Sequence, residues 1–326
     1  MNKIILPLFM FLLVILSGCS LLSGTDPEFS RQKYDDWYEN EQYEAALADI
    51  NERLEKYPED PYLLNEKGHV LNLMERSEDA LNTLNIAIEQ GNDDTLDSAY
   101  NNKSVALNEL GEYEQAIVAA QKAIDLSDQE PEQFINMGNA HSLLERDQRA
   151  LEYYDKALEI DDSAPYALYG KGVSLYYLTE YEEAIPYLEK YIETYPDDTD
   201  GLWYLVYSYD LLEDYNATLP YLDKIIQVES EQSLAALDYK GLMLTYSGNF
   251  TEAEELYNSI IEQFPNDGIG YYGKSVALVQ QGEIEQGLEE LDQSIRIDED
   301  YKDIAYSDPL FAPIYDDETF IQLTEY

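Results

Sequence analysis

One spacing constrains this chain more than any other feature. Related helical phrases recur about every 34 residues between residues 30 and 301, and they set Ala80, Ala116, Ala150, Ala184 and Ala253 at a single register. A unit of this length holds two helices and cannot bury its apolar face alone. It gains a core only by stacking on its neighbours. A small residue at a fixed point of each unit lets the stacked helices approach closely. The spacing therefore predicts an all-α solenoid, an architecture that presents surface for binding rather than a catalytic cleft.

The clearest units share one grammar. Gly111, Tyr113 and Ala116 open a second helix that runs to Leu126; Thr179, Tyr181 and Ala184 do the same and stop at Pro196; Gly248, Phe250 and Ala253 lead to Pro265. Each has a turn residue, an aromatic, a small Ala three residues later, and two of the three end in a proline. First helices repeat a glycine, at Gly68, Gly138, Gly172 and Gly241. Glycine inside a helix costs about 1 kcal/mol against alanine, so its recurrence at one register argues for close packing. Eight units fit, beginning near Pro27, Pro61, Asp97, Pro131, Pro165, Thr199, Leu234 and Gly268. Extra residues fall in 91–96 and 230–233, both read as loops. Pro61, Pro131 and Pro165 start first helices, where a missing N–H costs nothing. Pro186 and Pro220 are expected within about the first turn of second helices, with at most a mild bend.

This grammar resembles the tetratricopeptide repeat, and the resemblance covers nearly all of the chain after the leader. It implies a right-handed α-solenoid of about eight helix pairs over 30–301 and a C-terminal cap over 302–326, in which Phe311 and Phe320 would cover the last apolar face. The end units depart from the pattern. Tyr34 replaces the small residue of the first, while the last has Gly287 for the usual Ala and Ile284 for the usual aromatic. Terminal units are expected to differ because they cap the stack.

The N-terminus is a separate object. Residues 1–3 carry one positive charge, 4–16 are an uncharged apolar run too short for a comfortable membrane span, and Leu16-Ser17-Gly18-Cys19 follows. This resembles the bacterial lipobox, which implies a lipoprotein signal peptide (1–18), a lipidated Cys19 and a flexible tether over 19–29. The competing account is a plain secretory signal with an incidental cysteine. Cys19 is the only cysteine of the chain, so no intrachain disulfide can form. The expected location is the extracytoplasmic face of a cell membrane, with lipid as the only anchor.

Charge narrows the partners. The chain has 68 Asp+Glu against 19 Lys+Arg, a net −49. Such a surface repels nucleic-acid phosphates and anionic head groups. It solvates a long, surface-rich array, and it equally suits surroundings of high salt or high pH. A neutral or basic protein partner matches it best.

In the family that the chain resembles, first helices line the concave face. The inward positions read Arg31, Asn65, Asn101, Ile135, Tyr169, Trp203, Asp238, Tyr272 and, four places on, Asp35, His69, Val105, Asn139, Val173, Tyr207, Leu242, Val276. The early part is polar. The later part is aromatic, and Tyr166, Tyr169, Tyr176, Trp203, Tyr207, Tyr246 and Tyr272 are the candidate groove. Such rings combine an apolar face with a polar tip. They would anchor an extended peptide or a helix; the alternative is a glycan or small molecule stacked on the same rings. The competing structural account is that the rings only pack between helices. Lys33, Lys67, Lys103, Lys171, Lys240 and Lys274 also share one register. They are expected to pack their stems between helices and pair with neighbouring acids.

Catalytic constellations are missing. There is no Gly-x-Ser-x-Gly elbow, no His-Glu-x-x-His and no phosphate loop. His69 and His141 share no metal-ligand spacing; His141 reads as a packing residue and His69 as a polar groove contact. The expectation is a non-enzymatic interaction scaffold without metal or cofactor.

Overall fold

The computed structural model describes residues 34, 36–38, 40–127, 130–229 and 233–325. The segments expected to form a signal peptide (1–18) and a tether (19–29), with Cys19 and Lys33, lie outside them. The described chain is a succession of antiparallel helix pairs and divides into two compact units, Met1–Ser174 and Leu175–Tyr326.

In the first unit, α1 (Tyr43–Lys56) is the second helix of its repeat. Three further repeats follow as α2 (Pro61–Leu73) with α3 (Ser77–Gln90), α4 (Leu96–Glu109) with α5 (Tyr113–Leu126), and α6 (Pro131–Leu143) with α7 (Asp147–Ile160). Helix α8 (Pro165–Tyr177) begins in this unit. The second unit continues with α9 (Tyr181–Thr194), α10 (Thr199–Leu211), α11 (Tyr215–Glu229), α12 (Leu234–Tyr246), α13 (Phe250–Gln263), α14 (Ile269–Gln281) and α15 (Ile284–Ile297). Helix starts agree with the spacing to within a residue or two, because the apolar register that sets the spacing is also what buries. Ala46, Ala80, Ala116, Ala150, Ala184 and Ala253 are each fully buried.

The turns inside the pairs obey one rule. Glu41, Glu75, Gly111, Glu145, Thr179, Glu213, Gly248 and Gly282 hold positive φ between 54° and 95° at one shared register. The residue after each closes the helix end; Arg76 N–H, for example, donates to the Leu71 carbonyl at 2.8 Å. This left-handed stop satisfies carbonyls that the helix leaves open. Only three of the eight are glycine, so the tertiary stack imposes the conformation on Glu and Thr as well.

The repeated glycines are slots. A Cβ on Gly138 would stand 2.6 Å from Tyr154 Cε1, and one on Gly170, in the next repeat, 2.4 Å from Tyr154 Cζ. Tyr257 is held the same way between Gly241 (2.4 Å to Cζ) and Gly273 (2.1 Å to Cε1). Each tyrosine is a wedge driven between two successive first helices. At the same register Leu84, Leu188 and Leu222 are shorter, and the following repeats then carry Asn102, Tyr204 and Tyr239 in place of the second glycine.

One detail corrects the sequence reading, and another accounts for a departure that it noted. Pro186 and Pro220 sit at the sixth position of α9 and α11, one turn deeper than expected. Both are exposed, so the carbonyls they leave unpaired, of Glu182 and Asn216, lie on solvent-facing residues. Gly287 is explained by contact: Ser275 Oγ donates to its carbonyl at 2.7 Å, and a Cβ there would meet Val279 Cγ2 at 2.7 Å. The chain ends with α16 (Tyr301–Ser307), a 3-10 segment (Pro309–Ile314) and α17 (Glu318–Thr324). Phe311 and Phe320 are buried there against Val276, Val279, Leu288 and Leu291.

Candidate functional site

In the second unit, first helices and the start of the second helix α11 bring a set of aromatic side chains around one carboxylate. Trp203 stacks on Tyr207 with ring centroids 5.3 Å apart, and both meet the edge of Tyr239. Tyr239 Oη donates to Asp210 Oδ2. Tyr176 packs edge-on against Tyr204 and Tyr177, while Tyr215 stacks on Tyr246 at 4.9 Å. The register explains the gathering. Positions 203, 207 and 210 lie on one face of α10, three and four residues apart, and Tyr239 reaches them from α12, one residue past the position equivalent to 203.

The electrostatics are one-sided. Burial and then the charge and hydrogen bond of Asp210 raise the Tyr239 phenol. Burial pushes Tyr176 up to about 12, with neighbouring tyrosines and Asp210 adding to it. Burial, Asp308, Tyr215 and Asp210 raise Tyr246. Every neighbour that acts on these hydroxyls is an acid or another tyrosine. The surface therefore offers apolar faces, phenol donors and uncompensated negative charge.

A second acid deepens that character. Asp238, on α12, is pushed up to about 7, first by burial and then by Asp267. It acts in turn on Tyr257, Tyr272 and Tyr301. Ionised Asp238 is thus costly in the free protein, and a cation placed beside it would relieve that cost.

The predicted groove residues occupy different surroundings. Trp203, Tyr207 and Tyr176 belong to the aromatic set, and Tyr246 joins it at 42% exposure. Tyr272 is engaged by the cap: it stacks on Tyr301 at 5.0 Å, meets Phe311, and donates to Asp308 at 2.6 Å. Tyr166 and Tyr169 are half-buried in the first unit. Tyr204, Tyr215 and Tyr239 were missed by the sequence reading, whose candidates came from two inward positions of each first helix together with Tyr166, Tyr176 and Tyr246. Tyr239 and Tyr204 share a register one residue beyond the first inward position, and Tyr215 lies on the second helix α11.

The first unit carries amides instead of rings. Asn102 Nδ2 donates to Asn65 Oδ1 at 3.0 Å, and Asn136 Nδ2 donates to Asn101 Oδ1 at 2.8 Å. Asn72 and Asn108 reach the backbone carbonyls of Asn102 and Asn136 in the next repeat, leaving their own buried Oδ1 atoms without a partner. His69 meets the Tyr38 ring edge at 5.3 Å, and burial lowers it to about 4, so it is neutral at pH 7. His141 stacks on Tyr153 at 5.3 Å, as a packing residue. In the lysine register, Lys171, Lys240 and Lys274 pair with Asp155, Asp223 and Glu290. Lys103 departs from this, reaching the neutral Asn85 Oδ1 at 2.6 Å. Among the described residues, no group of three His, Cys, Asp or Glu could hold a metal ion, and no helix is long and apolar enough to cross a membrane.

Paired helices, a left-handed stop in each pair and glycine-seated wedges define a helical-repeat binding scaffold. Family models described as tetratricopeptide repeat match residues 97–130, 134–163, 166–198 and 241–302. The chain belongs to the tetratricopeptide repeat family, whose members generally bind protein or peptide partners. Among solved structures it is similar to YrrB, described as a TPR protein with an unusual peptide-binding site, at 31% identity over 56% of this chain and 93% of that one, with a TM-score of 0.48. It is also similar to the C-terminal part of a TPR repeat-containing protein from Cytophaga hutchinsonii, at 18% identity, 74% and 98% coverage, and a TM-score of 0.55. No curated protein matches the chain.

Proposed function

We propose that this protein is a lipid-anchored, extracytoplasmic scaffold that docks a basic segment of another protein on the first helices of its second unit. The observation that carries the reading is the acid-tipped aromatic surface built by Trp203, Tyr207, Tyr239 and Asp210, whose charged neighbours are all acidic. Aromatic faces supply contact area at low entropic cost, and Asp210 and Asp238 select a cationic side chain. A net charge of −49 steers such a partner in from a distance, with a rate that falls as salt rises. The lipobox-like run ending at Cys19 supports the anchor and the location.

The test is photocrosslinking in cells from a probe at Trp203, with a control probe at exposed Glu289. Capture of one discrete protein from Trp203 alone is expected, and equal capture from both positions, or none from Trp203, refutes the docking surface. The anchor is read separately, by incorporation of labelled palmitate that disappears in Cys19→Ala. Unlabelled wild-type protein refutes it.

A further inference from the structure

Asp210 departs from its own register. From the second repeat to the last, the same position otherwise holds Asn72, Asn108, Ser142, Tyr176, Thr245 and Val279, none of them charged. The Asp210 side chain is half-buried, and Tyr239 Oη donates to its Oδ2. Among the described residues, nothing donates to Oδ1 and no lysine or arginine pairs with the carboxylate. Lys224, Lys240, Lys274, Arg296 and Lys302 of the same unit are each committed to another acid. A charge placed at a neutral register, half out of water and without a counter-ion, is favourable only if a cation arrives from outside.

The surroundings of Asp210 narrow the kind of cation. Behind burial and nearer neighbours, its charge also raises the phenols of Tyr176, Tyr215 and Tyr246, so it reaches rings on α8, α11 and α12. Tyr215 stacks on Tyr246 with centroids 4.9 Å apart, yet Tyr246 stays 42% exposed, which leaves ring surface open. The phenol oxygens of Tyr215 and Tyr246 have no hydrogen-bond partner among the described residues. Leu211, next to Asp210, is 50% exposed and holds the position that Tyr177 and Tyr246 take in the flanking repeats. A carboxylate oxygen, an open ring, two phenol acceptors and an apolar patch therefore share one surface.

We infer that the docked segment is anchored by an arginine, whose guanidinium stacks on Tyr246 and donates to Asp210 while its stem lies on Leu211. The inference rests on the docking surface proposed above and names the side chain that this surface selects. A guanidinium is planar, weakly hydrated and carries five N–H donors in one plane. It can cover a ring face and still bond to a carboxylate and to phenol oxygens beside that ring. Cation–π attraction adds to the stacking. A lysine ammonium is a compact, strongly hydrated point charge. It would neutralise Asp210 but match neither the ring face nor the spread of acceptors.

The experiment titrates the full chain with acetyl-Gly-Arg-Gly-amide and with acetyl-Gly-Lys-Gly-amide by ligand-observed NMR, at about 150 mM salt so that distant acids are screened. The two peptides carry the same charge, so general attraction to an acidic protein cancels in their comparison. The arginine peptide is expected to bind with a dissociation constant on the order of 1 mM, and the lysine peptide at least about threefold more weakly. Asp210→Asn keeps the shape and an oxygen for Tyr239, and should weaken the arginine peptide at least about fivefold. Tyr246→Leu keeps apolar bulk, and should weaken the arginine peptide at least about twofold while leaving the lysine peptide unchanged. Equal binding of the two peptides, no detectable binding of either, or an unchanged arginine preference in both variants overturns the arginine anchor. The docking surface itself stands or falls with the Trp203 crosslink, so the two failures are told apart.

Discussion

A Cβ added at Gly273 has nowhere to go. It would lie 2.1 Å from Tyr257 Cε1, 2.3 Å from Cζ and 2.7 Å from Oη. Ordinary contact needs roughly 3.5–4.0 Å, so the ring must retreat by more than about 1 Å. Retreat is blocked, because Gly241 already leaves no room for a Cβ on the other side and Tyr257 is 2% exposed. Overpacking of this kind costs about 1–3 kcal/mol, and here the upper part of that range is appropriate. Gly→Ala in a helix returns about 1 kcal/mol. Gly273→Ala should therefore destabilise the array by a net of about 1–2 kcal/mol, although propensity alone predicts stabilisation. Tyr257→Leu removes the wedge, leaves a cavity, and should cost about 2–4 kcal/mol. In the double variant the alanine methyl occupies part of the cavity that the lost ring leaves. The two effects should then fall short of additivity by at least about 1 kcal/mol. Urea unfolding of the full chain followed by circular dichroism measures the cycle, and hydrogen exchange on α12 and α14 localises it, since a long array does not unfold strictly as two states. A stabilised Gly273→Ala, or additive effects in the double variant, would refute the wedge.

Two further outcomes follow from the same unit. Asp238 titrates near 7 in the folded chain and near 4 when unfolded, so the folded state binds the extra proton between those values. That contribution is complete below about pH 4 and is lost as pH rises through 7, so wild-type stability should fall by about 2–4 kcal/mol relative to Asp238→Asn between pH 4 and 8. Parallel stability profiles for the two proteins would sink the assignment. Phe311, fully buried against the last repeat, should cost about 3–5 kcal/mol as Phe311→Ala, seen as lost exchange protection in α14 and α15 with α2 to α5 unaffected. Uniform loss across the chain would mean that the segment does not act as a local cap.

The sequence alone determined the array. The 34-residue period, the buried alanines and the first-helix glycines are local, repeated consequences of two helices that must pack at one crossing, and one repeat read carefully predicts the others. Even the departures had a local sign: Gly287 stood out before the Ser275 contact explained it. The site was legible only in part. Trp203, Tyr207 and Tyr176 could be placed on inward faces from helical geometry, but Tyr204, Tyr215 and Tyr239 could not, because their rings meet others from the neighbouring repeat. The tertiary structure alone decided which lysine keeps a carboxylate and which, like Lys103, does not. It also decided that Tyr272 is engaged by the cap and that Asp238 is desolvated. The physical reason is common to all of these. Helical periodicity fixes the face a side chain takes, whereas its partner, burial and charge environment depend on which side chain the next repeat presents across the interface.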